Sequence, residues 1–147
     1  MNRWLVKQEP GCYSYADLEK EGETLWDGVA NALAQKHLRG MAPGDEVLFY
    51  HSGDEKAIVG IMSVAAGPEP MAEDEKKVAV RMKNVRRLAN PVTLAAIKAD
   101  PAFAEWELVR ISRLSVMPVS DALWKLIEKI AKKAPETPVQ KTKKPAG

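Results

Sequence analysis

Residues 24–39, with the sequence TLWDGVANALAQKHLR, bring a large aromatic ring, a carboxylate and a flexible glycine together at Trp26, Asp27 and Gly28. The small and apolar residues that follow favour a helix, and cationic side chains collect in its last turn, where they suit the helix dipole. This arrangement predicts a pocket at the mouth of a helix. The alternative is a short capped helix whose tryptophan belongs to the core.

Residues able to support catalysis or to hold a metal ion are few. His37 and His51 are the only histidines, and they lack the close spacing of histidine metal sites. Ser52 follows His51, but neighbours on a strand face opposite sides and no GxSxG motif surrounds this serine. Three carboxylates that could form a magnesium site lie at turns or helix caps, where such groups commonly serve the backbone: Glu9, Asp27 and Asp45. We therefore expect no catalytic centre, no metal ion and no cofactor.

The composition, with 46% hydrophobic and 29% charged residues in a chain of 147, is that of one globular domain. No apolar run approaches the roughly 20 residues that span a bilayer, and no signal-peptide pattern is present. The single cysteine, Cys12, excludes an internal disulfide. We expect a cytoplasmic monomer with no membrane partner.

Apolar runs bounded by turn residues predict strands at residues 4–7, 46–51, 57–66, 76–88 and 113–119. Gly60, inside the third of these, is expected at a bulge or a tight bend. Ser120 should cap an amphipathic helix, and shorter helices are predicted at residues 15–20, 29–39, 94–99 and 102–108. The fold class is therefore α+β, a small curved barrel of about five to six mostly antiparallel strands with short peripheral helices.

The charge of the chain is uneven. Residues 132–147 hold five lysines against Glu136 alone, a local charge of +4, and the 17 basic and 19 acidic residues before them leave −2. We expect one folded domain at residues 1–133 and a disordered, lysine- and proline-rich tail at residues 134–147, because the tail has too few apolar residues to offset its ordering entropy. A nucleic-acid ligand would need a local basic patch on this body.

A binding pocket for a base asks for fewer special groups than an enzyme does. An extruded base can stack on tryptophan or tyrosine while polar groups recognise its Watson–Crick edge, and such stacking contributes roughly 1 to 3 kcal/mol per base. Three rings are able to serve as the stacking wall: Trp4, Trp26 and Tyr50. Taken individually, each is more typical of the core than of a stacking wall.

Five segments of the chain resemble, in this order, the motifs of the EVE domain family: WLVKQEP (4–10), LWDGV (25–29), GDEVLFYHS (44–52), IVGI (58–61) and RLSVMPV (113–119). Together they are highly specific, whereas any one alone would be weak. The resemblance implies a PUA-like pseudo-barrel related to the YTH readers of methylated adenine in RNA. It further implies binding of modified bases, notably modified cytosines in DNA, without catalysis.

The resemblance also implies which residues form the site. Trp26 corresponds to the aromatic residue beside which the base lies. The other residues implied for the base pocket are Asp27, Lys7, Gln8, Asn31, Tyr50, His51 and Ser52. The residues expected to contact the nucleic-acid backbone are Lys36, His37, Arg39, Arg113 and Ser115.

Several positions depart from the family pattern. Ala30, Ala32 and Gln35 stand where relatives commonly carry an arginine, an aromatic residue and a second arginine, and Gln8 replaces a serine. Phosphate contacts dominate nucleic-acid affinity, so the loss of two arginines weakens the case for DNA. DNA with a modified cytosine remains the favoured partner, and an RNA reader is the first alternative. The others are an enzyme acting on nucleosides through Asp27 or Glu9, and a protein-interaction module with a structural Trp26.

Overall fold

The computed structural model describes residues 2–71, 74 and 76–132. Its strands form one sheet in the order β2-β5-β4-β3-β1-β6. Their bounds are β1 Arg3–Gln8, β2 Glu23–Trp26, β3 Glu46–His51, β4 Ala57–Pro70, β5 Val78–Thr93 and β6 Val116–Pro118. Among these strands, the β1 and β3 pair is parallel and every other pair is antiparallel. The predicted α+β fold of mostly antiparallel strands is confirmed.

In the described residues, five α-helices surround the sheet: α1 Tyr15–Glu21, α2 Ala32–Arg39, α3 Leu94–Ala99, α4 Glu107–Arg110 and α5 Asp121–Lys132. Helix α1, predicted at residues 15–20, begins with a capping box, in which Ser14 and Asp17 exchange side-chain and backbone hydrogen bonds. The predicted helix at residues 102–108 is instead a 3-10 turn, Pro101–Phe103, followed by α4. Across the described part of the chain, no helix combines the length and apolar character needed to cross a membrane.

The sheet curls around a single apolar core. Helix α2 contacts both β5 and β6, which lie near opposite ends of the strand order, so these ends approach the same helix. Phe49 is fully buried inside the curl, where the rings of Tyr15 and Trp26 meet it edge-on at 5.4 and 5.3 Å between centroids. Trp26 therefore extends the core toward one end of the barrel.

The prediction that Trp26 opens a helix is wrong. Trp26 is the last residue of β2 and pairs with Val80 of β5, and helix α2 begins only at Ala32. Between them Gly28 has a φ of 76°, a conformation that glycine adopts without steric cost. Because β2 has only four residues and no alternating pattern, its strand conformation depends on pairing with β5.

The predicted bulge at Gly60 is confirmed. Phe49 pairs with Gly60, whereas the next residue, Tyr50, pairs with Ile58, so Val59 is the extra residue of β4. The ring of Tyr15 lies directly on Gly60, where a Cβ would meet its Cε1 atom at 2.4 Å. Strand β5 continues past Pro91 to Thr93, in a stretch where its ladder with β4 is irregular and no amide donor is needed from proline. The predicted tail at residues 134–147 lies outside the described residues.

Candidate functional site

Three concave surfaces lie side by side around the end of β1. The Trp26 cleft has a volume of about 150 Å³ and is lined by Gln8, Tyr13, Thr24, Leu25, Trp26 and Asp27. The β1 groove, about 360 Å³, is lined by Lys7, Gln8, Glu9, Ser52, Gly53, Ser112, Arg113 and Ser115. The lysine cavity, about 300 Å³, is lined by Lys7, Tyr50, Ser52, Gly53, Lys56, Leu94, Lys98, Leu108, Val109 and Ser112. Gln8 thus joins the cleft to the groove, and Lys7 joins the groove to the cavity.

The pleat of β1 explains why the predicted pocket residues do not share one cavity. Lys7 is paired with Tyr50 and Gln8 with His51 in the parallel β1 and β3 ladder. Successive side chains on a strand point to opposite faces, so Lys7 and Tyr50 face the lysine cavity. Gln8 lies on the face that also holds the Phe49 and Trp26 rings. The expected single pocket is therefore divided between the two faces of the sheet.

In the Trp26 cleft, an apolar floor lies beneath two free polar groups. Trp26 is only 4% exposed, so its ring forms the floor rather than an open stacking platform. The Gln8 side-chain oxygen accepts from the Glu9 amide at 3.0 Å, which orients the Gln8 NH2 group as the remaining donor. Neither this NH2 group nor the exposed Asp27 carboxylate hydrogen-bonds another described residue. The cleft therefore presents one unused donor and one unused acceptor.

On the other face, Lys7 is held in place at the mouth of the lysine cavity. Its Nζ donates to the Ser112 carbonyl at 2.8 Å and lies 5.6 Å from the centroid of the Tyr50 ring. Burial lowers the pKa of Lys7, and burial raises the pKa of the Tyr50 hydroxyl. Lys7 is thus a cation that is partly removed from water.

His51 does not line any of the three surfaces. It is 6% exposed, its Nε2 accepts from the Tyr15 amide at 3.1 Å, and its Nδ1 lies 2.8 Å from a Glu55 carboxylate oxygen. Because Nε2 acts as an acceptor, the ring hydrogen resides on Nδ1 and is donated to Glu55. Both nitrogens are therefore engaged in joining α1 to the β3–β4 turn, which is a structural role.

Asn31 also has a structural role. Its side-chain oxygen accepts from the Ala34 amide at 3.0 Å and so caps α2. We expect Asn31→Ala to lower the free energy of unfolding by about 1 kcal/mol, because the cap is lost, and to leave ligand affinity unchanged. Urea denaturation and a binding titration measure the two effects, with Asn31→Ser as the variant that keeps a capping oxygen. A loss of ligand affinity at unchanged stability would show instead that Asn31 contacts the ligand.

The residues expected at the nucleic-acid backbone separate into two groups. Arg113 and Ser115 line the β1 groove, next to the cleft. The α2 residues Lys36, His37 and Arg39 line none of the three surfaces, and the Arg39 guanidinium donates to the Lys76 carbonyl. The His37 ring packs 6.1 Å from the Trp4 ring, and burial lowers its pKa, so it is neutral near neutral pH and adds no charge to α2.

The acidic residues considered as a magnesium site are dispersed. Asp45 is buried and accepts hydrogen bonds from the Trp4 indole and from the amides of Asn2 and Ala42. Glu9 lines the β1 groove, whereas Asp27 lines the Trp26 cleft. In the part of the chain described by the structure, no group of three or more histidine, cysteine or acidic residues is arranged to hold a metal ion.

The sequence model of the EVE domain family matches residues 2–130 of the chain. The chain belongs to the EVE domain family. Human thymocyte nuclear protein 1 is 36% identical over an alignment of 81 positions, which covers 47% of this chain and 36% of that protein. The EVE domain thus matches about a third of the length of its curated relatives.

Two solved structures extend the comparison. The NMR structure of Rpa0253 from Rhodopseudomonas palustris is 40% identical with a TM-score of 0.86, covering 89% of this chain and 93% of that one. The crystal structure of the human THYN1 protein in complex with DNA containing 5-methylcytosine is 27% identical with a TM-score of 0.81, covering 92% of this chain and all of that one. The EVE domain therefore shares its fold along nearly its whole described length with both.

Several residues that line the Trp26 cleft and the lysine cavity of this EVE domain were not predicted from the sequence. Tyr13, Thr24 and Leu25 complete the Trp26 cleft. Thr24 and Leu25 are adjacent to the conspicuous Trp26, and recognising β2 would have indicated their place. Lys56 and Lys98 of the lysine cavity carry no signal in the sequence, since they belong to separate elements that only the fold brings together.

Proposed function

We propose that this EVE domain is a non-catalytic nucleic-acid-binding module that holds a modified base, a modified cytosine in DNA, in the Trp26 cleft. One observation carries the proposal. The free NH2 group of Gln8 and the free carboxylate of Asp27 line the same cleft above an apolar floor. The similar human THYN1 protein, seen with DNA containing 5-methylcytosine, supports it from outside the chain.

The polar pair is complementary to the Watson–Crick edge of cytosine. That edge presents an exocyclic amine beside the N3 and O2 acceptors, and a carboxylate accepts well from the amine. Asp27 would accept from the cytosine amine while Gln8 donates to N3 or O2. A substituent on C5 lies beside the amine and would meet the apolar wall formed by Leu25 and Trp26.

The size and the surroundings of the cleft agree with such a ligand. Pockets for drug-sized molecules are roughly 300 to 1,000 Å³, so a cleft of about 150 Å³ favours a one-ring pyrimidine over a purine. A base in a duplex must be extruded to reach the cleft, at a cost of a few kcal/mol. Lys7 and Arg113 in the adjoining β1 groove are placed to contact the phosphates on either side of an extruded nucleotide.

The first test removes the acceptor. Asp27→Ala should weaken binding to a duplex with one 5-methylcytosine by about tenfold or more, because a good base contact contributes roughly 1–3 kcal/mol of discrimination. Fluorescence anisotropy on matched methylated and unmethylated duplexes measures the effect. Asp54→Ala is the matched control, since Asp54 is exposed and lines none of the three surfaces. Removal of a carboxylate lessens repulsion of the phosphates, so a general charge effect would raise affinity alike in both variants. An affinity of Asp27→Ala no weaker than that of Asp54→Ala would refute base recognition by Asp27.

A second variant tests the donor with almost no change of shape. In Gln8→Glu the oxygen that accepts from the Glu9 amide is kept, while the donor that faces the cleft becomes an acceptor. Binding to the methylated duplex should then weaken by about tenfold or more, because a carboxylate cannot donate to cytosine N3 or O2. Trp26→Ala is unsuitable for this purpose, because removing a buried tryptophan costs about 3–5 kcal/mol and confounds binding with unfolding.

The remaining alternatives are outcomes of the same assay. Stronger competition by an RNA oligonucleotide carrying 5-methylcytidine than by its DNA counterpart would identify an RNA reader, since single-stranded bases need no duplex opening. Product formation that disappears in Asp27→Ala would identify an enzyme. Failure of every modified oligonucleotide and nucleoside to bind would leave the interaction module.

A further inference from the structure

Apart from Lys7, which also lines the β1 groove, the residues of the lysine cavity have no part in the base-binding proposal. The cavity lies on the other face of β1 from the Trp26 cleft and has a volume of about 300 Å³. Three cationic side chains from separate parts of the chain line it: Lys7 in β1, Lys56 before β4 and Lys98 in α3. No acidic residue is among its lining residues. Within the described chain, none of the three lysines has a carboxylate partner.

Lys56 reaches the cavity from an unusual backbone conformation. Its φ is 48°, in the left-handed region that long side chains rarely adopt and that costs roughly 1–2 kcal/mol. The Lys56 carbonyl accepts from the Leu94 amide at 2.8 Å, which fixes this residue against the start of α3. Backbone strain of this kind clusters at ligand sites and switch regions.

Lys7 adds a partly desolvated charge. It donates to the Ser112 carbonyl and packs on the Tyr50 ring, and burial lowers its pKa because no carboxylate offsets the lost hydration. A bound anion would supply the missing opposite charge. The other walls are apolar and come from Leu94 and Leu108.

We propose that the lysine cavity is a second ligand site, which binds a small organic phosphate. The phosphate of a monoester would lie among Lys7, Lys56 and Lys98, and its apolar body would pack against Leu94 and Leu108. Lysine binds phosphate as a point charge, and several lysines together suit a doubly charged monoester. A volume of about 300 Å³ is at the lower end for small-molecule sites, which limits the body to about one ring.

Three probes separate the contributions to binding in the full chain, without any nucleic acid. Phenyl phosphate carries both the anion and a ring, inorganic phosphate carries the anion alone, and phenol carries the ring alone. By calorimetric titration, phenyl phosphate should bind at least about tenfold more tightly than either of the others, because only it uses both halves of the cavity. The absence of binding by phenyl phosphate would overturn the proposal.

The variants test whether the lysines are responsible. Lys98→Ala should weaken phenyl phosphate binding by about tenfold, and Lys125→Ala, on the exposed face of α5, should not change it. Lys56→Gly should weaken binding similarly without loss of stability, because glycine relieves the strain at this φ. Binding that survives both Lys98→Ala and Lys56→Gly would place the ligand elsewhere and overturn the proposal.

A last experiment distinguishes a cavity that binds a free phosphate ester from one that contacts the phosphates of a bound nucleic-acid strand. Affinity for the 5-methylcytosine duplex should be the same in Lys98→Ala and in the unmodified protein. If Lys98→Ala weakens duplex binding while phenyl phosphate fails to bind, the cavity is part of the nucleic-acid interface and the proposal is wrong. Because phenyl phosphate is titrated without DNA, failure of the base-binding proposal does not affect this result.

Discussion

Gly60→Ala should lower the free energy of unfolding by about 3 kcal/mol or more, because the added methyl group would overlap a ring that cannot move. A Cβ at Gly60 would lie 2.4, 2.6 and 2.8 Å from three atoms of the Tyr15 ring. That ring is fully buried against Phe49, and its hydroxyl donates to the carbonyls of Ile61 or Arg86 at 2.8 and 2.9 Å. Overpacking in cores typically costs 1–3 kcal/mol, and this site has little room to relax.

Urea denaturation followed by circular dichroism measures the effect of Gly60→Ala. Gly11→Ala is the matched control, since nothing lies within 4 Å of its added Cβ, and its stability should change by no more than about 0.5 kcal/mol. A double variant with Tyr15→Leu gives a sharper test. If the ring is the cause, the two substitutions together should cost clearly less than the sum of their separate costs, and simple additivity would rule this explanation out.

Asp45→Asn should lower the free energy of unfolding by about 2–3 kcal/mol near neutral pH. Asp45 is 4% exposed and its two oxygens accept three hydrogen bonds, from the Trp4 indole and from the amides of Asn2 and Ala42, each at 3.0 Å. An asparagine has one acceptor oxygen, so its NH2 group would face at least one donor. Hydrogen bonds to a charged group contribute roughly 1.5–3 kcal/mol, and the unmatched donors add to the loss.

The same residue makes a testable contribution to acid sensitivity. Burial alone would raise the pKa of Asp45, but the hydrogen bonds from Trp4, Asn2 and Ala42 outweigh it and hold the pKa below its ordinary value of 3.8. The carboxylate therefore stabilises the fold fully above pH 3.8, and this stabilisation is lost as the pH falls through the lower folded value. Urea midpoints should differ more between the two proteins at about pH 7 than at about pH 3. A difference that is independent of pH would contradict this assignment.

Local signals in the sequence predicted much of the framework. The bounds of β3, residues 46–51, agree with the structure because its apolar run lies between two clear turns. The capping box of α1 and the amphipathic character of α5 are likewise predictable from the sequence, since both depend on residues close in sequence. Strand β2 was missed because its four residues become a strand through pairing with β5, more than fifty residues later in the chain.

The candidate site was also only partly predictable, because it depends on contacts between distant parts of the chain. Trp26, Asp27 and Gln8 were predicted to share a pocket, and they do line one cleft. The family resemblance grouped Lys7 with them, but the pleat of the strand directs it to the other face. Asn31 was expected in the pocket, but it lies one residue before α2 and caps that helix, whose start had been predicted at residue 29.

The position of β1 in the sheet determines when the binding surfaces can form during folding. This strand lies between β3 and β6, so Arg3 bonds to Glu46, 43 residues later, and to Asp121, 118 residues later. During synthesis β1 cannot complete its pairing until both β3 and β6 have been made. Strand β6 is made only when nearly all of the described chain has been synthesised. The Trp26 cleft and the lysine cavity both use the end of β1. We therefore expect the two surfaces to form in one cooperative event, and no shorter fragment should retain one of them without the other.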